Sequence, residues 1–143
     1  LQRIKGLYTS GREGCSITIK HAHGYGALNV IRYAASQRDR DRFDSTSALF
    51  DTDTDWDDRA KALARKNSIA VLPCDPCVER VLLDIKGLPA HGDTAALKTR
   101  FRANFGGDAH EPRRIEQHFD RATFDGARTR VEVLNNLLEM IRV

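Results

Sequence analysis

Apolar and polar positions change their period several times along the chain, and each change marks an element. Ile4 and Leu7 share one face of an opening helix. Residues 16–22 alternate in the manner of a short strand. Residues 25–36 return to helical spacing, with Leu28, Val30, Ile31 and Ala34 turned inward. Residues 46–50 predict a buried strand, about 57–66 a helix, and 68–72 a further strand rich in β-branched residues. Beyond Pro76 the pattern is helical. Residues 77–85 place Val78, Val81, Leu82 and Ile85 at helical spacing before the stop signal Gly87. Helices follow at 94–105, ended by Gly106-Gly107, and from Pro112 to about Phe119. Residues 127–143 close the chain with a stripe of Val131, Leu134, Leu137, Leu138 and Ile141, which packs on the core or, alternatively, forms the interface of a homo-oligomer.

Strands joined by helical crossovers pair in parallel and are covered on their faces. The expected fold is therefore α/β: a parallel sheet flanked by helices, with a helical C-terminal part. A chain of 143 residues, 41% of them hydrophobic, suits one domain spanning 1–143, with an α/β core at 1–86 and a helical extension at 87–143. In such sheets ligands bind outside the carboxyl ends of the strands.

The strand ending at Phe50 runs into Asp51-Thr52-Asp53-Thr54-Asp55. Were this segment to stay extended, Asp51, Asp53 and Asp55 would point to one side, close enough to repel unless a cation neutralises them. A hard divalent ion such as Mg²⁺ or Mn²⁺, held by oxygen ligands, answers that repulsion. The competing reading is an Asp-rich turn in which Asp55, Asp57 or Asp58 caps the following helix.

Net charge is +3, which permits nucleic-acid binding without demanding it. The cations are bunched: Arg38, Arg40 and Arg42; Arg59, Lys61, Arg65 and Lys66; and Lys98, Arg100, Arg102, Arg113, Arg114, Arg121, Arg128 and Arg130. Such runs are solvated faces or phosphate contacts, and both readings stay open. No apolar run reaches the roughly 20 residues of a membrane span, and no secretory signal opens the chain, so the expectation is a cytoplasmic protein with no membrane partner.

Three cysteines argue against a disulfide framework. Cys74 and Cys77 form a C-x-x-C pair that His21 and His23 would complete as a zinc set, but without a second pair of the usual spacing packing is the better reading.

Three segments in order resemble the RloB-like branch of the Toprim superfamily, which includes nucleases of prokaryotic defence. They are His23-Gly24-Tyr25-Gly26, Phe50-Asp51-Thr52-Asp53, and Pro76-Cys77-Val78-Glu79 leading into Val81-Leu82-Leu83, spanning about residues 17–85. The resemblance implies a Toprim-like sheet, Mg²⁺ or Mn²⁺ on Asp51 and Asp53, Asp55 as a further member of the metal site, and Glu79 as a supporting acid. Asp51, Asp53 and Glu79 are thus the candidate catalytic residues. The family also carries a Glu on a first strand preceding a helix. Here the chain begins at Leu1 within that helix, so the expectation is either that the strand lies upstream or that the catalytic set is incomplete. Glu13 follows the helix and reads as a loop residue.

The implied function is a metal-dependent nuclease acting on DNA or RNA, acting with an ATPase partner where the family analogy extends that far. A phosphatase of the haloacid dehalogenase type is the first alternative, since Asp51-Thr52-Asp53-Thr54 fits its D-x-D-x-T motif with Asp51 as nucleophile. Two elements precede the motif, however, and the expected downstream acids are missing. The second alternative is a catalytically incomplete Toprim subunit that binds a partner. An EF-hand loop fails because Trp56 occupies its sixth position and Ala62 its twelfth.

Overall fold

The computed structural model describes residues 1–9 and 16–142. Glu13 lies outside the described residues. Among them are eight helices and a small parallel sheet of two strands, a mixed α/β arrangement. The chain divides into two compact units, residues 21–78 and residues 1–20 with 79–143.

In the unit of residues 21–78, helix α2 (Gly26–Asp41) leads to strand β1 (Ser47–Asp51), then to helix α3 (Asp58–Lys66) and strand β2 (Ala70–Cys74). The strands pair in parallel, with Ser47 opposite Ala70, Leu49 opposite Leu72 and Asp51 opposite Cys74. α3 is the crossover that parallel pairing requires. Ala27, Ile31 and Ala34 of α2, Ala48 and Phe50 of β1, and Ala60 and Ala64 of α3 form one apolar cluster, with Trp56 packed against it. The alanines let α2 lie close to β1 and to α3. Asp57 caps α3, its carboxylate accepting the Ala60 N–H at 3.0 Å.

The expected strand at 16–22 is corrected: residues 16–23 belong to no strand. Ile17 and Ile19 are half-buried between exposed Ser16 and Thr18, so the alternation is present. A strand also needs a ladder partner for its backbone groups, and the polar–apolar period does not supply one.

The other unit contains helix α1 (Gln2–Thr9) and, from its second residue on, helix α4 (Val78–Ile85), followed by α5 (Thr94–Phe105), α6 (Pro112–His118), α7 (Arg121–Ala127) and α8 (Glu132–Arg142). Its core is aromatic. Phe101 and Phe105 lie 4.6 Å apart, Phe105 and Phe119 5.5 Å, and Phe119 and Phe124 6.0 Å between ring centroids. The expected helix at 127–143 starts later, at Glu132, because a separate helix precedes it. Asp120 caps that helix, accepting the Thr123 N–H at 2.8 Å. No helix among the described residues is long and apolar enough to cross a membrane.

Candidate metal centre at the carboxyl end of the parallel strands

The last residue of β1 is Asp51, and from there the backbone turns. Thr52 N–H donates to the carbonyls of Cys74 and Pro76, at 3.0 and 3.1 Å, and Asp53 N–H donates to Pro76 at 3.2 Å. These bonds tie the turn to the loop that leaves β2. The expected extended alternation of Asp51, Asp53 and Asp55 therefore stops at Asp51. Residues 52–55 form a turn, and Asp55 has a left-handed backbone with φ of 58°.

Each acid has a distinct setting. Asp51 is half-buried, and its Oδ1 accepts the N–H of Val78, the first residue of α4, at 2.9 Å. One oxygen of the pair's inner member thus satisfies a helix-start amide. Asp53 is exposed at the apex of the turn, with the Thr54 hydroxyl 3.4 Å from its Oδ1. Asp55 is exposed and lies against α2: a Cβ placed on Gly26 would stand 2.8 Å from its Oδ2. The Ala27 N–H donates to the Thr54 carbonyl at 3.1 Å, so α2 and the acidic turn meet at this end of the sheet.

Asp75 escaped the sequence reading. It directly follows β2, and its Oδ1 accepts the Thr52 hydroxyl at 2.7 Å. The signal was available: an acid at the end of a second apolar strand, where parallel pairing brings strand ends together.

Glu79 belongs to the other compact unit. It lies in the first turn of α4, 8% exposed, and its Oε2 has no hydrogen-bond partner among the described residues. A carboxylate oxygen in that state costs stability, although a helix N-terminus favours negative charge by about 0.3–1 kcal/mol. Cys74 and Cys77 are fully buried, whereas His21 and His23 are exposed.

Whether these residues suit Mg²⁺ is decided by donor chemistry and number. Asp51 and Asp53 offer oxygen donors only, as hard cations prefer, and Mg²⁺ is commonly held by one or two carboxylates with water elsewhere. No three His, Cys, Asp or Glu side chains among the described residues are arranged to hold a metal. Asp51 and Asp53 thus offer the donor type of a water-rich Mg²⁺ or Mn²⁺ site, and the described residues do not offer an all-protein cage.

No family model, curated protein or solved structure matches the chain.

Proposed function

We propose that the chain is a divalent-metal-dependent nuclease with a Toprim-like core, hydrolysing phosphodiester bonds of DNA or RNA. The observation that carries this reading is a carboxylate at the carboxyl end of a parallel strand, Asp51, followed by a hydrogen-bonded turn that exposes Asp53. That end of a parallel sheet is where α/β proteins bind ligands. Asp51 and Asp53 would hold Mg²⁺ or Mn²⁺, which when bound supplies a hydroxide nucleophile near neutral pH and offsets charge on the attacking and leaving oxygens. Between them Thr52 anchors the turn, through its N–H to Cys74 and its hydroxyl to Asp75. The rigidity this gives favours catalysis, because a misplaced ligand of even 1 Å lowers rate steeply.

The test is a cleavage assay on plasmid, single-stranded DNA and tRNA with Mg²⁺ or Mn²⁺. Wild type should cut at least one substrate, and Asp53→Asn should abolish the cut while leaving the fold intact. Cleavage that survives Asp53→Asn removes Asp53 from the reaction.

One observation favours a second reading, a catalytically incomplete subunit that binds a partner protein. Asp51 already accepts the Val78 N–H, a structural duty that needs no metal. Absence of cleavage on every substrate, restored by a partner ATPase, would support that reading.

A further inference from the structure

The loop entering α2 carries a conformational cost that packing does not explain. Four consecutive residues have left-handed backbones: His23 at φ 58°, Gly24 at 81°, Tyr25 at 69° and Gly26 at 78°. Glycine adopts this region freely, but each residue with a Cβ is disfavoured there by roughly 1–2 kcal/mol. At Gly26 the absence of a side chain is needed twice, because a Cβ would also collide with Asp55. The Asn29 side-chain amide braces the loop, donating to the carbonyls of Gly24 at 2.8 Å and Ala22 at 3.3 Å. The His23 N–H donates to Nδ1 of His21 at 3.0 Å, with the two rings edge to face.

The backbone at position 25 thus calls for glycine, yet a tyrosine stands there with 85% of its surface exposed. Tyr8 shows the ordinary use of the same residue type: buried, with its hydroxyl donating to Asp125 at 2.7 Å. Strain held at an exposed residue beside a cluster of acids is characteristic of ligand sites. Tyr25 is one residue from Gly26, where an added Cβ would meet the Asp55 carboxylate of the acidic turn.

We propose that Tyr25 is a stacking platform for a nucleobase, and that the strand presented to the Asp51–Asp53 turn is single-stranded at that point. The inference rests on the nuclease reading for its choice of ligand, because a base flanks every phosphodiester. A base still paired and stacked in a duplex hides both faces; an unpaired one offers a face to an aromatic ring. Stacking of this kind tolerates any base. Tyr25 therefore contributes affinity for single strands without sequence preference.

The experiment measures fluorescence anisotropy of a labelled oligothymidylate, and of the same oligomer with abasic positions, in low salt and EDTA. Wild type and Tyr25→Phe should bind the base-bearing oligomer alike. Tyr25→Ala and Tyr25→Gly should bind it about 5- to 150-fold more weakly, the range expected for one lost stack, and should match wild type on the abasic oligomer. Tyr25→Gly doubles as the folding control, since glycine relieves the left-handed strain and should keep or raise Tm. No loss on Tyr25→Gly, an equal loss on the abasic oligomer, or no binding of the base-bearing oligomer by wild type would each overturn the proposal. EDTA removes the divalent ion, so the result stands apart from metal binding and cleavage, whose failure would appear in the assays on Asp51 and Asp53.

Discussion

The arginines of the helical unit and the aspartates of the unit of residues 21–78 meet different fates. In the helical unit, several arginines are bound to the backbone or to nearby acids. Arg130 donates to the carbonyls of Ile85 and Gly126 at 2.7 Å each, closing the last turns of α4 and α7. Arg100 holds the carbonyls of Pro89 and His91, and Arg3 holds that of Phe119. Lys86 donates to the His118 carbonyl. In the unit of residues 21–78, by contrast, Asp53 and Asp55 are exposed on a turn at the strand ends, where three aspartates fall within five residues. The contrast teaches that a run of like charge in sequence carries no single meaning. The C-terminal arginines, open to a reading as phosphate contacts, are in good part engaged within their own unit, Arg130 with helix-end carbonyls, Arg100 with loop carbonyls and Arg102, Arg114 and Arg121 with acids, whereas the aspartates gather where two helices begin and a strand pair ends.

The largest effect should follow from cutting an arginine clamp. Arg130→Ala should lower stability by about 2 kcal/mol, because it strips donors from carbonyls of two helices, and Arg130→Lys should recover only part of that. Urea unfolding measures both. A loss within about 0.5 kcal/mol would place Arg130 among ordinary surface residues and dissolve the contrast.

Glu79 should respond in the opposite direction. Glu79→Met removes a buried oxygen that lacks a partner, so stability should rise by about 1 kcal/mol after the lost helix-dipole term is deducted. A fall in Tm would mean that the carboxylate is satisfied after all. A rise in Tm combined with lost cleavage would mark Glu79 as an acid retained for function at a cost to stability.

On the acidic side, Asp51→Ala should lower stability by about 1 kcal/mol through loss of the bond to Val78, and Asp51→Asn should largely restore it by keeping the acceptor. Relief of carboxylate repulsion works the other way, so a rise in Tm for Asp51→Ala would show that repulsion dominates.

A smaller effect concerns acid. The hydroxyl and then the N–H of Thr123 hold the Asp120 carboxyl below its usual range, and the Asp108 N–H does the same for Glu111. A depressed carboxylate stabilises the fold above its unfolded pKa and loses that contribution as pH falls through its folded one. Stability should therefore decline below about pH 4, and Asp120→Asn should flatten the decline. An unchanged acid limb in the melting curves would remove Asp120 as a contributor.

The sequence made much of this legible where local pattern and tertiary partner agree. β1, α3 and α5 lie where hydrophobic period and turn residues put them, and Asp57 is the cap that the Asp-rich turn offered. Residues 16–22 misled because alternation says which side is apolar and not whether a neighbouring strand is present. α7 was hidden because Phe124 and Ala127 alone supply its apolar face, although Asp120 followed three residues later by Thr123 was a readable start. At the site, Asp51 and Asp53 were visible as acids after an apolar strand. Asp75 was readable as an acid after the second apolar strand and was overlooked, whereas the strained Tyr25 was not readable, since it depends on backbone angles.

The central claim is that the turn after β1 binds a divalent cation, and calorimetric titration with Mn²⁺ tests it most directly. Wild type should bind, and Asp51→Asn and Asp53→Asn, each keeping size and one acceptor oxygen but losing the charge, should each weaken binding by roughly tenfold or more. Equal affinity in all three proteins, with the fold intact, would contradict the account.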